Sequence, residues 1–217
     1  ALTFPKGAFD IKLPSASLFD LPATNFAAVG SWEGGVVAVD RLAADDLGGS
    51  SFAAKLTAFG SFEKPELSGT ATIEILSAGA PALARFYDLT GASPDLRAFL
   101  ARSLPARLAL TLDAPSGEGG QAFSISGRAA STELQFDARV SAGFLRALNG
   151  PLSFNLDLKS DDATAMTAQL GLGDLSLTPD GEPMHAVAIV EGTPANSLEA
   201  TLRIEGGADS IGFAGNV

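Results

Sequence analysis

The chain has no cysteine, and among its 217 residues it has one histidine, one tryptophan and one tyrosine. Without cysteine it can form no disulfide, no thiolate nucleophile and no zinc–thiolate site. No run approaches the roughly 18 apolar residues that a membrane-spanning helix needs. The first residue is Ala1 rather than Met. We therefore expect a processed or excised piece of a larger protein, with any membrane anchor outside it.

Basic residues are also scarce, with 14 Lys and Arg against 25 Asp and Glu and a formal net charge of −11. They are scattered singly, which excludes nucleic acid as a partner and excludes electrostatic docking on an anionic membrane. Any contact with lipid must therefore be apolar. Hydrophobic residues make up 46% of the chain and charged residues 18%, so the composition is that of a folded protein and not of a disordered acidic tail.

Motifs that carry enzyme chemistry are missing too. The sequence has no G-x-S-x-G elbow, no phosphate-binding loop, no dinucleotide turn and no H-E-x-x-H helix. His185 stands at the start of a predicted strand, where a structural or solvent-facing role is expected. The acidic pairs Asp45–Asp46 and Asp161–Asp162 fall at corners and are interpreted as solvated turn residues rather than calcium ligands. We predict no catalytic residues, no metal and no cofactor.

Alternation of apolar and polar residues is the dominant pattern, and it predicts a mainly β fold built as a long antiparallel meander or groove-like sheet. Turns are predicted at the FEKPE segment of residues 62–66 and at the LGGS corner of residues 47–50. The predicted strands are 8–13, 36–42, 52–59, 67–75, 107–113, 122–128, 133–141, 152–159, 165–172, 184–191, 198–205 and 210–217.

The period changes to about 3.6 residues across residues 81–104, which predicts an inserted helical hairpin. Gly91 suits the end of the first helix, and Ser93 followed by Pro94 suits the start of the second. We treat residues 1–217 as a single β-rich module with this insertion.

One face of the later strands is strongly apolar, and the other is polar. The candidate lipid-lining residues on the apolar face are Phe123, Ile125, Leu134, Phe136, Val140, Phe154, Leu156, Leu158, Leu198, Leu202 and Ile204. In one interpretation this face is an ordinary core, closed by a second sheet or by the helical hairpin. In the other, part of it stays open as a trough for acyl chains. The chain has 14 Phe, a side chain that offers only apolar area, and this fits either interpretation.

The segment of residues 34–50 (GGVVAVDRLAADDLGGS), followed by the strands at 52–59 and 67–75 and then by helices from Pro81, resembles the repeating unit of the AsmA family. In that family a strand ending in an L-x-A-x-D-L-G-G corner leads to a strand that crosses a Pro-containing turn, here at Pro65. The later strands are similar to the low-complexity β continuation of the same proteins.

The resemblance implies an elongated β-groove in the bacterial periplasm, tethered to the inner membrane by a segment outside this chain. It implies a non-catalytic role in phospholipid passage or outer-membrane homeostasis. The expected partners are phospholipid or another acyl lipid, the remainder of the parent chain, and other envelope proteins. The alternative hypothesis is a structural or protein-interaction segment without a ligand, whose sheet edges pair with the parent chain.

Overall fold

A computed structural model of the chain describes residues 6–61, 64–113, 120–141, 150–172, 181–207 and 209–216. The described residues form thirteen strands and three short helices. The strands are β1 (Gly7–Leu18), β2 (Leu21–Glu33), β3 (Val36–Ala44), β4 (Asp46–Leu47), β5 (Ser50–Ser61), β6 (Lys64–Ile75), β7 (Ala106–Asp113), β8 (Gln121–Ala129), β9 (Thr132–Val140), β10 (Leu152–Ser160), β11 (Met184–Thr193), β12 (Ser197–Gly206) and β13 (Asp209–Asn216). The helices are α1 (Pro81–Thr90), α2 (Pro94–Arg102) and α3 (Ala163–Leu170).

All thirteen strands belong to one open antiparallel sheet, which confirms the predicted β-meander. Twelve strands follow one another in the order of the sequence from β1 to β13, and the short β4 pairs with β2 beside this path. Each strand hydrogen-bonds to its neighbours, so most backbone groups of the inner strands are satisfied within a single layer. No second sheet is present among the described residues.

The helical hairpin lies where the sequence predicted it. Ser93 Oγ accepts a hydrogen bond from the backbone N–H of Leu96 at the start of α2, and Gly91 ends α1 in the left-handed region with a φ of 61°. The two helices are joined by the Arg97 guanidinium, whose carbon lies 5.1 Å from the centre of the Tyr87 ring. The two helix ends confirm the predicted roles of Gly91 and Ser93, and the cation–π contact is an additional link between the helices.

One local prediction was wrong, a second was only partly right, and one strand was not predicted. The predicted strand at 165–172 is the helix α3, which Asp162 caps by accepting hydrogen bonds from the N–H groups of Thr164 and Ala165. The turn predicted at residues 62–66 is too long: β5 and β6 pair antiparallel with Ser61 opposite Lys64, so Pro65 lies inside β6, and residues 62–63 lie outside the described residues. Residues 21–33, which carry no clear alternation, form the long strand β2.

The corner at Asp46 to Gly49 holds α1 against the sheet. Asp46 Oδ1 accepts a hydrogen bond of 2.8 Å from the Gly49 N–H, and the carbonyl of Gly48 accepts one of 3.0 Å from the Ala82 N–H at the start of α1. Gly48 and Gly49 have φ angles of 56° and 86°, which glycine adopts without strain. A Cβ on Gly48 would lie 3.1 Å from the backbone nitrogen of Ala82. The two glycines therefore provide both the turn and the close approach of the helix.

We expect Gly48→Ala to lower the free energy of unfolding by about 1–3 kcal/mol, because it combines a strained φ with crowding of α1. Gly35→Ala is the matched control, since Gly35 also has a positive φ of 84° but a Cβ there would meet nothing within 4 Å. That control should lose only about 1 kcal/mol from the φ strain. Urea unfolding of both variants measures the difference, and equal losses would mean that the contact with α1 contributes nothing.

Candidate functional site

A row of apolar side chains crosses the whole sheet. Directly opposed residues of paired strands point to the same face, so the strand registers trace the row from one edge to the other. We call it the central row: Ile11, Ala28, Leu42, Ala54, Ala71, Leu110, Ile125, Phe136, Leu156, Ala188, Leu202 and Phe213. Twelve strands contribute to this row, and none of them contributes a polar side chain.

A second row lies beside it, towards the end of the sheet that is farther from the helices. It consists of Phe9, Gly30, Val39, Leu56, Gly69, Leu112, Phe123, Ala138, Phe154, Val190, Ala200 and Gly215. Again no member is polar. Together the two rows form what we call the apolar band, which runs perpendicular to the strands. At about 4.8 Å between neighbouring strands, twelve strands make the band roughly 50 Å long.

The band is only partly covered by the protein. From β3 to β12, every member of the central row is half-buried, and none is fully buried. At the two edges Ile11 and Phe213 are more open, with 44% and 62% of their surface exposed. An ordinary sheet core is closed by a second layer of structure. Here neighbouring side chains of the central row shield one another from β3 to β12 and keep part of their surface exposed, whereas Ala28 on β2 and Ala138 in the second row are buried.

The structure brings all eleven predicted lining residues to this one face. Those that are half-buried are Phe123, Ile125, Leu134, Phe136, Phe154, Leu156, Leu198 and Leu202. The other three are sealed, with 1% of Val140, 6% of Leu158 and 8% of Ile204 exposed. Sequence reasoning did not include the members of the band on β1 to β7. The alternation of residues 107–113 was a usable signal for Leu110 and Leu112.

Helix α3 seals the end of the apolar face on β10 to β12. Ala163 and Met166 of the helix pack in one buried cluster with Leu158, Met184 and Ile204 of the sheet. Met166 has no exposed surface. Among the residues that the structure describes, the helices cover the face at this end, and no second layer lies over the middle of the sheet.

A buried polar chain joins α3 to α2 and to the sheet. The Gln169 side chain accepts a hydrogen bond of 2.7 Å from Thr132 Oγ1 and donates one of 3.0 Å to Ser103 Oγ. Arg102 Nε donates to the backbone carbonyl of Gln169 at 3.0 Å. Each buried polar group has a partner here, which avoids the cost of about 1–3 kcal/mol for an unsatisfied group. The network fixes the position of the helical cover.

Aromatic rings reinforce the band at two places. Phe136 stacks on Phe154 with ring centres 6.1 Å apart, and its edge contact with Phe123 spans 6.5 Å. On the first two strands Phe9 stacks on Trp32 at 6.4 Å. Trp32 lies near the end of β2 and covers Gly7 of the edge strand. Such rings fill the space that a glycine leaves in a sheet.

The opposite face carries rows of polar and charged residues. Glu74 pairs with Arg107 at 2.7 Å, and Arg128 pairs with Glu133 at 3.1 Å. His185 Nε2 lies 3.0 Å from Asp157 Oδ1. A depression of about 430 Å³ near His185 is lined by residues of both charge signs. Exposed ion pairs of this kind contribute only about 0–1 kcal/mol each to the stability of the fold. Their charges keep this face of the sheet hydrated.

The described residues contain no group of three or more His, Asp and Glu side chains placed to hold a metal ion. None of their helices has the length and apolar character needed to cross a bilayer. Comparison with known proteins finds no match for the chain among protein families, curated proteins or solved structures.

We expect Met166→Ala to lower the free energy of unfolding by about 2–4 kcal/mol, because it leaves a cavity between α3 and the sheet. Leu89→Ala is the control, since Leu89 on α1 is 71% exposed and its truncation should change stability by less than about 0.5 kcal/mol. Urea denaturation measures both variants. A loss of similar size in the two would show that α3 does not close the apolar face.

Proposed function

We propose that this chain is a non-catalytic module that binds acyl lipid, phospholipid above all, along its apolar band. The observation that carries the proposal is the continuity of the central row. It crosses twelve strands without a polar residue, and its large side chains stay partly exposed between β3 and β12. A contiguous apolar surface of this length is typical of a binding site and not of a free surface in water.

The energetics favour a ligand with long hydrocarbon chains. An acyl chain that leaves a bilayer loses about 0.8 kcal/mol for each methylene, or roughly 12 kcal/mol for sixteen carbons. A compensating surface must be apolar over the whole length of the chain. The band of roughly 50 Å exceeds the hydrocarbon depth of one leaflet, about 15 Å. It therefore offers more apolar length than a single acyl chain can cover.

The charge distribution limits how such a lipid could bind. The polar face of the same strands holds the paired charges of Glu74, Arg107, Arg128 and Glu133, whereas the band has none. With a net charge of −11, the protein offers no general attraction to an anionic headgroup. Binding through the acyl chains, with the headgroup in water, is the arrangement that this distribution favours.

The resemblance to the AsmA family supports a cellular location for the proposed function. The Asp46 to Gly49 corner is followed by two long strands and then by the helical hairpin, in the order of that family's repeating unit. The proposal accordingly locates the module in the periplasm, tethered to the inner membrane by a segment outside this chain. Its role there would be phospholipid passage or outer-membrane lipid homeostasis, with other envelope proteins as partners.

A second candidate function is a structural segment whose sheet pairs with the remainder of the parent chain and binds no ligand. The observation that favours it is the outer strand β13, all of whose residues are exposed. In that case the apolar band would be covered by protein and not by lipid.

The test uses two neighbouring positions of β11 that face opposite sides of the sheet. Ala188 belongs to the central row, whereas Ile189 lies on the polar face with 39% of its surface exposed. Ala188→Glu places a charge inside the band, where desolvation is costly, and should weaken binding of a dansyl-labelled fatty acid by roughly tenfold or more. Ile189→Glu should leave the binding unchanged. Mass spectrometry of the purified unmodified chain should also detect bound phospholipid.

Circular dichroism and urea unfolding show whether each variant is folded. If Ala188→Glu prevents folding, Ala188→Gln replaces it as an uncharged polar substitution at the same position. The proposal is refuted if the folded chain neither carries phospholipid nor takes up the labelled fatty acid. It is equally refuted if substitutions at Ala188 and Ile189 weaken binding to the same extent.

A further inference from the structure

A further apolar row lies beside the central row, on the side nearer the helices. Its members on β5 to β8 are directly opposed in the strand registers, and we call them the third row: Phe52, Ile73, Leu108 and Gly127. Each lies two residues along its strand from a member of the central row, so it belongs to the same face. The third row contains no polar side chain.

On β5 to β8 the apolar face is therefore three rows wide, and it is open. These four strands contribute twelve positions to the third, central and second rows, and none of the twelve is buried. We call this part of the face the wide segment. At about 4.8 Å between neighbouring strands, it extends roughly 14 Å along the direction of the band.

The face is narrower on both sides of the wide segment. On β3 the position opposite Phe52 is Ala44, which is sealed with 2% of its surface exposed. On β9 the second row is sealed at Ala138, with 6% exposed. On β10 to β12 the continuation of the third row is covered by α3: Leu158, Ala186 and Ile204. The central row stays half-buried across all these strands, so only the wide segment is open over three rows.

The width of this segment corresponds to two hydrocarbon chains. Positions two residues apart along a strand are separated by about 6.8 Å, so the outer rows of the wide segment are about 14 Å apart. Non-bonded carbon atoms approach to about 3.5–4.0 Å, so a hydrocarbon chain is about 4 Å thick. Three rows therefore offer room for two chains side by side, whereas two rows offer room for one.

We propose that the wide segment binds the two acyl chains of a single lipid side by side, with each chain lying across the strands. This inference rests on the proposed function, because it assigns a position within the apolar face to that ligand. The two chains of a phospholipid are attached to neighbouring glycerol carbons, so they run beside each other and not end to end. The length of the wide segment, roughly 14 Å, also matches the hydrocarbon depth of one leaflet, about 15 Å.

Strand β7 supplies the positions for a matched test. Leu108→Glu places a charge in the third row, and Leu112→Glu places one in the second row. Each carboxylate would be desolvated by a chain lying against it, so each variant should exclude one of the two chains. Ala109→Glu is the control, because Ala109 is exposed and lies between them in sequence on the opposite, polar face.

The two probes are dioctanoyl phosphatidylcholine and palmitoyl lysophosphatidylcholine, which have the same headgroup and the same total number of acyl carbons. Titration calorimetry with the full chain, below the concentrations at which the probes form micelles, measures both affinities. We expect Leu108→Glu and Leu112→Glu each to weaken binding of the two-chain probe by roughly tenfold or more. Binding of the single-chain probe should weaken by less than about threefold, because one chain can shift to the rows that remain. Ala109→Glu should leave both affinities unchanged.

Circular dichroism shows whether each variant is folded, and glutamine replaces glutamate at a position where the charged variant does not fold. If the unmodified chain binds both probes but each substitution weakens both to the same extent, the two-chain site is refuted and the proposed function stands. The same conclusion follows if Leu108→Glu leaves binding of the two-chain probe unchanged. If the unmodified chain binds neither probe, the proposed function fails together with this inference.

Discussion

In a single-layer sheet, the pairing of strands satisfies the hydrogen bonds of the backbone but does not cover the apolar side chains. The rest of this structure depends on that constraint. Neighbouring strands pair along most of their length, so the meander needs no second layer to satisfy most of its backbone hydrogen bonds. The apolar side chains of the two rows are not covered in this way, because they project from the same face of the sheet. Their exposed area can be reduced by contact with one another and by a cover, and among the described residues α3 supplies such a cover where Met166 packs with Leu158 and Ile204.

The helices lie at one end of the sheet because they belong to the connections between strands that lie at that end. The two connections that contain helices, from β6 to β7 and from β10 to β11, leave and enter the sheet at the same end. The Asp46 to Gly49 corner fixes α1 there, and the polar chain through Gln169 joins α2 to α3. The opposite end has only connections without a described helix. The described helices therefore cover the apolar face at one end, while Val140 and Leu152 at the other end are also buried, with 1% and 7% of their surface exposed.

Strands were predicted correctly from the sequence where one face is polar and the other is apolar. They were missed where the two faces differ little in polarity. Residues 133–141 and 152–159 alternate cleanly, and both form strands. Residues 21–33 have apolar residues on both sides, as at Ala27, Ala28 and Val29, so β2 shows no alternation although it is half-buried. In α3 the run ATAMTAQL imitates a strand, and only the Asp162 cap and the left-handed Gly171 mark a helix. The full extent of the band was not predictable, because it is set by registers between strands that are distant in sequence.

The continuity of the apolar rows links the length of the binding surface to the number of strands. Each strand that joins the sheet adds about 4.8 Å to the band, provided that its alternation matches the register at the edge. The band reaches both outer strands, at Ile11 on β1 and at Phe213 on β13, on the same face. Any strand that pairs correctly with either edge must therefore present its own apolar side to the band. The alternation of apolar and polar residues therefore determines both how strands join the sheet and where an acyl chain can bind. A polar residue in the central row would interrupt the apolar surface. A shift of one residue in a strand's register would turn the apolar side chains of that strand to the opposite, polar face.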